Sequence, residues 1–267
     1  MDEIKNETIT QQKTIKPFNI SMGEPALLIE NIKTIKEFIP EIDICIDTNK
    51  FQIVNMDPAN VSLIDFKLFS GVFTSFNISE KTSLCINSNS FYEILKTYKK
   101  NDILKISINE DDLNHLCIEF VNSFSRINKI PLIENDNPPI KVPELTNSQS
   151  FMIDPGVLKE IIKEFKSFES VIIKIDYKQI KFISKDDFKT LEIPINDLYI
   201  NCDGNIKSKY SVDYLYKLLS SRINSFLKSE SESNLYFGDD YPLKLNMGIE
   251  NKYLLSFILA PKVDNDY

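Results

Sequence analysis

The stretch YPLKLNMGIENKYLLSFILAPKVD, residues 241–264, contains two strand patterns in which apolar and polar residues alternate. The second pattern runs into a short apolar exit, Leu259-Ala260-Pro261, which an acidic tail follows. Another distinctive segment, NMDPANVSLID, stands far upstream at residues 55–65. These two segments mark opposite parts of the chain, and the patterns between them show how it is organised.

A proline-rich stretch at residues 129–145 divides the chain into similar halves. It holds four of the twelve prolines, Pro131, Pro138, Pro139 and Pro143. Proline fixes a backbone torsion and has no N–H to donate, so we predict an extended connector here rather than a helix or a central strand. The chain then consists of a disordered leader (1–17), a first domain (18–128), the connector (129–145) and a second domain (146–267).

Each half opens with a strand and a helix, continues through strand patterns to a second helix, and closes with paired strands. The helical period predicts helices over residues 25–39, 90–99, 155–168 and 211–223. Alternation predicts strands over residues 42–46, 51–55, 62–69, 104–108, 116–121, 171–175, 180–183 and 254–259. This duplicated order predicts an α+β fold in which helices cover one face of mostly antiparallel sheet.

Composition restricts the class of protein. A hydrophobic fraction of 42% supplies ample core, and a net charge of −8 would ordinarily argue against a nucleic-acid ligand, although it does not say where the charges lie. The cysteines lack paired spacing, which argues against zinc or disulfides and favours a reducing compartment: Cys45, Cys85, Cys117 and Cys202. The polar N-terminus and the lack of a long apolar run predict a soluble, intracellular protein.

Found together and in this order, the segments at 55–65 and 241–264 closely resemble those of the ring-shaped DNA sliding clamps, the proliferating cell nuclear antigen (PCNA) family. The residues of both segments resemble those of archaeal members more than those of eukaryotic ones. The resemblance covers nearly the whole chain after residue 17. It implies a duplicated two-domain subunit and a trimeric ring, with antiparallel sheets outside and four helices per subunit inside. The location is then cytoplasmic for an archaeal source, and a nuclear or viral replication site otherwise.

The resemblance implies a protein without catalytic activity that encircles duplex DNA of any sequence and makes replication and repair enzymes processive. The implied partners are double-stranded DNA, further copies of the chain, and DNA polymerase, flap nuclease, ligase and clamp loader, which bind through short peptide motifs. No membrane partner is expected. The alternative within the same fold is a specialised subunit of a heterotrimer or a checkpoint-type platform, which would not form a trimer alone.

The third predicted helix carries Lys159, Lys163 and Lys166 within about 60° of one another, at roughly 100° per residue. Glu160 and Glu164 project to the other side, so we predict sorted charges and one basic edge. A solvated polar face is the usual explanation for one such helix, but the arrangement recurs on four. In the implied ring these residues face DNA phosphates: Lys33, Lys36, Lys96, Lys99, Lys100, Lys159, Lys163, Lys166, Lys217 and Arg222. Asp213 departs from the family pattern, which often has a basic residue nearby.

The resemblance also implies an apolar pocket that captures a short partner helix with aromatic and aliphatic anchors. The matching positions lie in three distant segments: Met56, Val61 and Leu63; Leu132 and Ile133; and Pro242, Ile258, Ala260, Pro261 and Val263. Ordinary core packing is the alternative for Leu63 or Ile258 taken singly. Ile258 stands where relatives often have an aromatic residue, which alters the expected pocket shape.

Subunit contacts are expected at edge strands, because unpaired N–H and C=O groups need a partner. The resemblance implies that the strand of Leu116, Ile118 and Phe120 pairs with the strand of Leu191 and Ile193 in the next subunit. Pro194 then ends the second strand, because proline cannot donate to a ladder. The alternative is that both are protected edges within one chain.

Signatures of catalysis are missing from the sequence, which has no phosphate-binding loop, nucleophile elbow or HExxH pair. The single histidine, His115, is predicted to be a surface or strand-pairing residue. The acidic pairs Asp111-Asp112 and Asp186-Asp187 are predicted to be solvated turn carboxylates, with a carboxylate-dependent hydrolase as the alternative. We therefore predict no catalytic residue, no metal and no cofactor.

Overall fold

The structure is a computed structural model that describes residues 15–135, 138–146, 148–176, 179–195, 206–221 and 232–263. Most of the predicted leader, residues 1–14, lies outside these ranges, as do Cys202 and Arg222 of the predicted basic set. None of the described helices is long and apolar enough to cross a membrane.

The first half contains nine strands and two helices within the described residues. They are β1 (Phe18–Met22), α1 (Ala26–Ile35), β2 (Glu41–Ile46), β3 (Lys50–Met56), β4 (Ser62–Phe69), β5 (Ser75–Ile78), β6 (Thr82–Asn87), α2 (Ser88–Leu95), β7 (Ile103–Asn109), β8 (Asp112–Val121) and β9 (Ser125–Pro131). Strand β9 thus extends three residues into the predicted connector, and it lies at the edge of its sheet. An edge position accommodates Pro131, which has no N–H for a ladder.

The second half repeats this order, apart from one strand fewer among its described residues. Its elements are β10 (Gln149–Met152), α3 (Pro155–Glu164), β11 (Ser170–Asp176), β12 (Gln179–Lys185), β13 (Thr190–Ile195), β14 (Ile206–Ser211), α4 (Val212–Ser220), β15 (Glu232–Phe237), β16 (Leu243–Ile249) and β17 (Tyr253–Leu259). The predicted α+β architecture, with four helices and antiparallel sheets, is confirmed for the described residues.

One eight-stranded sheet runs through both halves in the order β10-β15-β16-β17-β4-β3-β2-β6. The halves join where β17 pairs antiparallel with β4, from Tyr253 opposite Leu68 to Leu259 opposite Ser62. A five-stranded sheet, β5-β1-β7-β8-β9, belongs to the first half, and a four-stranded sheet, β13-β12-β11-β14, belongs to the second. The two segments quoted first therefore form the seam that makes one molecule of two similar halves.

The helices are shorter than predicted at their C-terminal ends. After α1, the N–H groups of Glu37 and Phe38 bond to the carbonyls three residues earlier, which tightens the chain into a turn before Pro40. The starts fit the prediction closely, because polar caps fix two of them: Asn87 accepts from Ser90 N–H at 2.8 Å and Asp154 from Gly156 N–H at 2.7 Å. The buried helix stripes face a core formed by the inner side of the sheets, as the predicted positions Leu28 and Leu158 show.

Candidate functional surfaces

The four helices lie side by side and are joined by side-chain contacts. Lys36 Nζ lies 5.0 Å from the ring centroid of Tyr92, which links α1 to α2. Ser221 Oγ, at the end of α4, lies 3.0 Å from Thr34 Oγ1 of α1. Lys166 Nζ, just beyond α3, lies 4.7 Å from the ring centroid of Tyr216 on α4. The layer therefore runs across both halves, and its polar side is a single surface, which we call the helix surface.

Lysines and glutamates are interleaved on the helix surface, so the predicted sorting of charge is wrong. Lys163 Nζ lies 3.5 Å from Glu160 Oε2, and Lys33 Nζ lies 3.8 Å from Glu30 Oε2. The same i,i+3 pairing joins Lys96 to Glu93. Residues three positions apart are neighbours on a helix surface, so the glutamates lie within ion-pair reach of the lysine edge.

Lys159 is the most enclosed lysine of α3. Burial is the main cause that holds the pKa of Lys159 below its ordinary value, and the nearby charge of Lys33 adds to it against the attraction of Glu160. Lys159 and Lys163 line a cleft of about 310 Å³ between α3 and α4, whose far wall includes Tyr216. The cleft brings two predicted DNA-facing lysines together.

Five of the other predicted basic residues are exposed in the last turn of a helix or beyond it: Lys96, Lys99, Lys100, Lys166 and Lys217. Lys99 and Lys100 follow the end of α2 at Leu95 and are exposed. Lys217 lies on α4, with its Nζ 4.9 Å from the ring centroid of Phe38. The anomalous Asp213 is exposed in the first turn of the same helix, where an acidic side chain interacts favourably with the helix dipole.

On the opposite face of the eight-stranded sheet, the register aligns three predicted pocket residues. Met56 is paired with Leu63, and Leu63 with Ile258, across β3, β4 and β17. Leu63 and Ile258 are 5% and 6% exposed, although neither belongs to the main core cluster. Met56 is 36% exposed. Side chains of paired residues share a face, so these three form a continuous apolar row.

The other C-terminal positions continue this row at the same end of the sheet. Ala260 N–H donates to Val61 O at 2.9 Å, which fixes the exit of β17 against the turn before β4. Pro242 and Pro261 flank the pair Leu243–Leu259 and are half-buried, while Val263 is 80% exposed. We name the ten predicted pocket residues the docking surface.

The connector approaches this surface from the far edge of the sheet. Ile133 N–H donates to Cys85 O on the edge strand β6 at 2.8 Å, and Asn135 Nδ2 donates to Asp43 Oδ1 on β2 at 2.9 Å. Leu132 and Ile133 are half-buried. The structure thus places them beside β6, two strands from Met56, rather than in direct pairing with the apolar row.

The turn between β3 and β4 contains a buried carboxylate that the sequence analysis missed. Asp57 is 5% exposed, and its carboxylate accepts from the N–H groups of Ala59 and Val61 and from the hydroxyl of Tyr214 on α4. Burial by itself raises the pKa of Asp57, but the hydrogen bonds from Ser62 N–H, the Tyr214 hydroxyl and Ala59 N–H outweigh it and hold the pKa below its ordinary value. An Asp-Pro-x-Asn turn between strand patterns was the available signal for Asp57. Tyr214 lay too far along the chain to be linked to it.

The predicted interface strand is corrected by the sheet order. Leu116, Ile118 and Phe120 lie on β8, which is paired on both sides with β7 and β9 and is buried. The hairpin at residues 122–124 folds β9 back over it, so β9 is the edge. The other predicted strand, β13 with Leu191 and Ile193, is an edge among the described residues. Pro194 lies within β13 rather than after it, which an edge position tolerates.

The acidic pairs have structural partners. His115 Nδ1 lies 2.8 Å from Asp112 Oδ1, and Lys129 Nζ lies 2.7 Å from Asp112 Oδ2. The hydrogen bond from Lys129, followed by that from His115, lowers the pKa of Asp112 to about 2. Asp186 Oδ1 accepts from the N–H groups of Phe188 and Lys189 and shapes the hairpin between β12 and β13. The described residues contain no group of three or more side chains suited to hold a metal ion.

Comparison with known proteins agrees with this geometry. Residues 18–136 match the model of the proliferating cell nuclear antigen N-terminal domain. The chain is 29% identical to the DNA polymerase sliding clamp of Thermococcus sibiricus over 255 residues, covering 93% of this chain and 99% of that one. It is 28% identical to the clamp of Pyrococcus furiosus, with the same coverage.

Solved structures show the same fold. A PCNA from Thermococcus kodakaraensis superposes with a TM-score of 0.81 at 22% identity, covering 92% of this chain and 100% of that one. A proliferating cellular nuclear antigen from Entamoeba histolytica gives 0.81 at 18% identity, covering 92% and 99%. Two duplicated halves joined by one sheet, with four helices on one side of it, agree with these comparisons: the chain is similar over nearly its whole length to DNA polymerase sliding clamps, and its first half matches the PCNA N-terminal domain.

Proposed function

We propose that this chain closes with two further copies into a ring around duplex DNA and tethers replication enzymes to it. The observation that carries the proposal is the separation of two surfaces by one sheet. Lysines of both halves share the helix surface, and the apolar row lies on the opposite face. A ring that keeps the helix surface inside presents its docking surface to solvent. The proposed role is mechanical rather than catalytic.

The lysines suit transient contact with phosphates. Exposed i,i+3 ion pairs contribute only about 0.3–0.5 kcal/mol, so a phosphate can replace a glutamate at little cost. Contacts to the backbone carry no sequence information, which allows sliding. The net charge of −8 discourages DNA from binding the outer faces, and enclosure takes the place of tight binding.

The ring is proposed to close through the two edge strands β9 and β13. Ile127, in the middle of β9, is 63% exposed, and Phe124, at the tip of the hairpin before it, is 64% exposed. Leu191 and Ile193 of β13 are half-buried at the edge of the four-stranded sheet. Pairing β9 with β13 of the next copy satisfies both edges and covers this apolar surface.

The docking surface is proposed to receive a short amphipathic helix from DNA polymerase, flap nuclease, ligase or clamp loader. Such a helix presents one aliphatic and several aromatic anchors, and an apolar row rimmed by polar residues is the matching surface. Leu132 and Ile133 of the connector are proposed to complete its wall when the peptide binds.

Two measurements test the proposal. Light scattering of the purified chain should give about three times 30.9 kDa. If the chain is a monomer or dimer alone and forms a trimer only with other chains, the proposal of a homotrimer is wrong and a heterotrimer takes its place. Second, a clamp placed on nicked circular DNA by an ATP-driven loader should resist high salt and be released when the DNA is linearised. Equal retention on linear DNA would overturn encirclement, because it would show that affinity rather than topology holds the protein.

A further inference from the structure

The turn between β3 and β4 is organised around a single buried carboxylate. Asp57 Oδ1 accepts from Val61 N–H at 2.9 Å and from Ser62 Oγ at 3.1 Å, and Oδ2 accepts from Ala59 N–H at 3.1 Å. Asn60 takes a left-handed backbone with φ of 56°, which a short polar residue tolerates. The turn is therefore held in one shape by hydrogen bonds to Asp57.

A residue of the other half completes this network. Tyr214 Oη donates to Asp57 Oδ2 at 2.9 Å across a sequence separation of 157 residues. Tyr214 lies on α4, and its ring is packed 6.1 Å from the ring of Phe38. The bond thus ties a helix of the second half to a turn of the first.

The same turn carries part of the docking surface. Met56 immediately precedes Asp57, and the carbonyl of Val61 receives the N–H of Ala260. Leu63, the next inward step along β4, pairs with both Met56 and Ile258. A change in the shape of the turn therefore moves residues from two of the three docking segments.

We propose that Tyr214 is a positioning residue for the docking surface: its hydroxyl holds the Asp57 turn in the shape that lets Met56 and Val61 receive a partner helix. This inference rests on the proposed function, because it assigns a determinant to that docking site. The Tyr214 hydroxyl acts through the Asp57 carboxylate, from the helix side of the sheet.

The cavity beside the bond makes the inference testable without unfolding the protein. A space of about 340 Å³ lies against Asp57, Pro58, Ala59 and Tyr214, and Lys217 also lines it. In Tyr214→Phe, Asp57 Oδ2 keeps its bond from Ala59 N–H, and water can enter this space to replace the lost hydroxyl. The fold therefore survives while the turn loses its fixed partner on α4.

The experiment compares Tyr214→Phe with Ser221→Ala in the full chain. Ser221 Oγ also joins α4 to the first half, through Thr34 Oγ1, but it does not touch the turn. The probe is a synthetic polymerase-tail peptide with one aliphatic and two aromatic anchors, measured by fluorescence anisotropy, with hydrogen exchange at Val61 and Ser62 as the second readout. Tyr214→Phe should weaken peptide binding about tenfold, which corresponds to about 1.4 kcal/mol. It should also speed hydrogen exchange at Val61 and Ser62.

Ser221→Ala should lower the melting temperature while leaving peptide affinity and the exchange of the turn unchanged. If Tyr214→Phe binds the peptide as the wild type does, the positioning role is wrong and the docking site stands. If both variants weaken peptide binding equally, the cause is a general loss of contact between the two halves. That result would also contradict the positioning role of Tyr214. If the wild-type chain does not bind the peptide, the proposed docking function fails and this inference fails with it.

Discussion

The helix surface and the docking surface lie on opposite faces of one sheet and are built in opposite ways. Lysines of the helix surface are held by single ion pairs such as Lys163–Glu160, in which both side chains are more than half exposed. Met56, Leu63 and Ile258 are fixed instead by backbone register, with no freedom to slide past one another. The first surface can exchange partners at little cost, and the second cannot.

This difference matches the two tasks in the proposed function. A protein that moves along DNA needs contacts that break and reform, and solvated charges provide them. A protein that selects partner peptides needs a surface of constant shape, because a disordered pocket must be ordered at the expense of affinity. We therefore expect two kinds of effect. Substitutions on the fixed side should change stability, whereas substitutions on the helix surface should change the salt dependence of DNA binding.

The largest effect on stability is expected in the core, at the seam between the two halves. Phe257 is fully buried on β17, and its ring lies 5.4 Å from that of Phe38 at the seam between the halves. Phe257→Ala should lower the free energy of unfolding by about 3–5 kcal/mol, because it leaves a cavity that the sheet cannot close. Urea unfolding followed by circular dichroism measures this.

The matched control is a substitution of Lys217, which contacts the same Phe38 ring from the solvent side. Lys217→Ala removes the amine 4.9 Å from its centroid and should cost less than about 1 kcal/mol. Similar losses for the two variants would contradict the division between a fixed seam and an exchangeable helix surface.

A smaller effect is expected on peptide binding from the connector. Changing Leu132→Ala and Ile133→Ala together should weaken a polymerase-tail peptide by more than about 1 kcal/mol, as truncation of buried anchors usually does. Anisotropy titration gives the value. Unchanged affinity would remove the connector from the docking surface and leave the apolar row as the whole site.

Much of the outer face could be predicted from the sequence, because a strand of alternating residues determines which side chains share a face. The strand predicted at 62–69 is found with the same bounds, and the segments at 55–65 and 241–264 meet at the seam. Register converts local alternation into long-range neighbours once two strands are known to pair. The family resemblance predicted that these distant segments meet, which periodicity could not, and the structure shows the pairing.

The sequence analysis misjudged or missed other features of the structure. The edge strand was misplaced because β8 and β9 both alternate, and only the hairpin at residues 122–124 decides which of them is outside. Charge sorting on α3 failed because residues three positions apart are neighbours on a helix, which brings Lys163 within reach of Glu160. The bond from Tyr214 to Asp57 joins residues 157 positions apart and has no sequence signal.

The helix surface is expected to respond to salt rather than to lose stability. Replacing Lys159, Lys163 and Lys166 with Ala should reduce loading and polymerase stimulation, because three amines no longer meet phosphates. The slope of log K against log salt should become shallower by about 0.9 for each phosphate that the protein no longer neutralises. Light scattering should show the same oligomer mass as the wild type, and a changed mass would place these lysines in assembly instead.

The smallest effect concerns an ion-pair group outside both surfaces, at the start of β8. The pKa of Asp112, lowered to about 2 by Lys129 and His115, lies below its unfolded value of 3.8. A carboxyl with a depressed folded pKa stabilises the protein above the unfolded pKa, and that contribution is lost as pH falls through about 2. Asp112→Asn should therefore be less stable than wild type at pH 5, with the difference shrinking from pH 4 to pH 2. Lys129→Met removes the first partner and should reproduce part of this change in unfolding curves recorded against pH. A difference that stays constant over this range would show that the pair has no electrostatic role, and the contrast between fixed and solvated contacts would then apply only to the two functional faces.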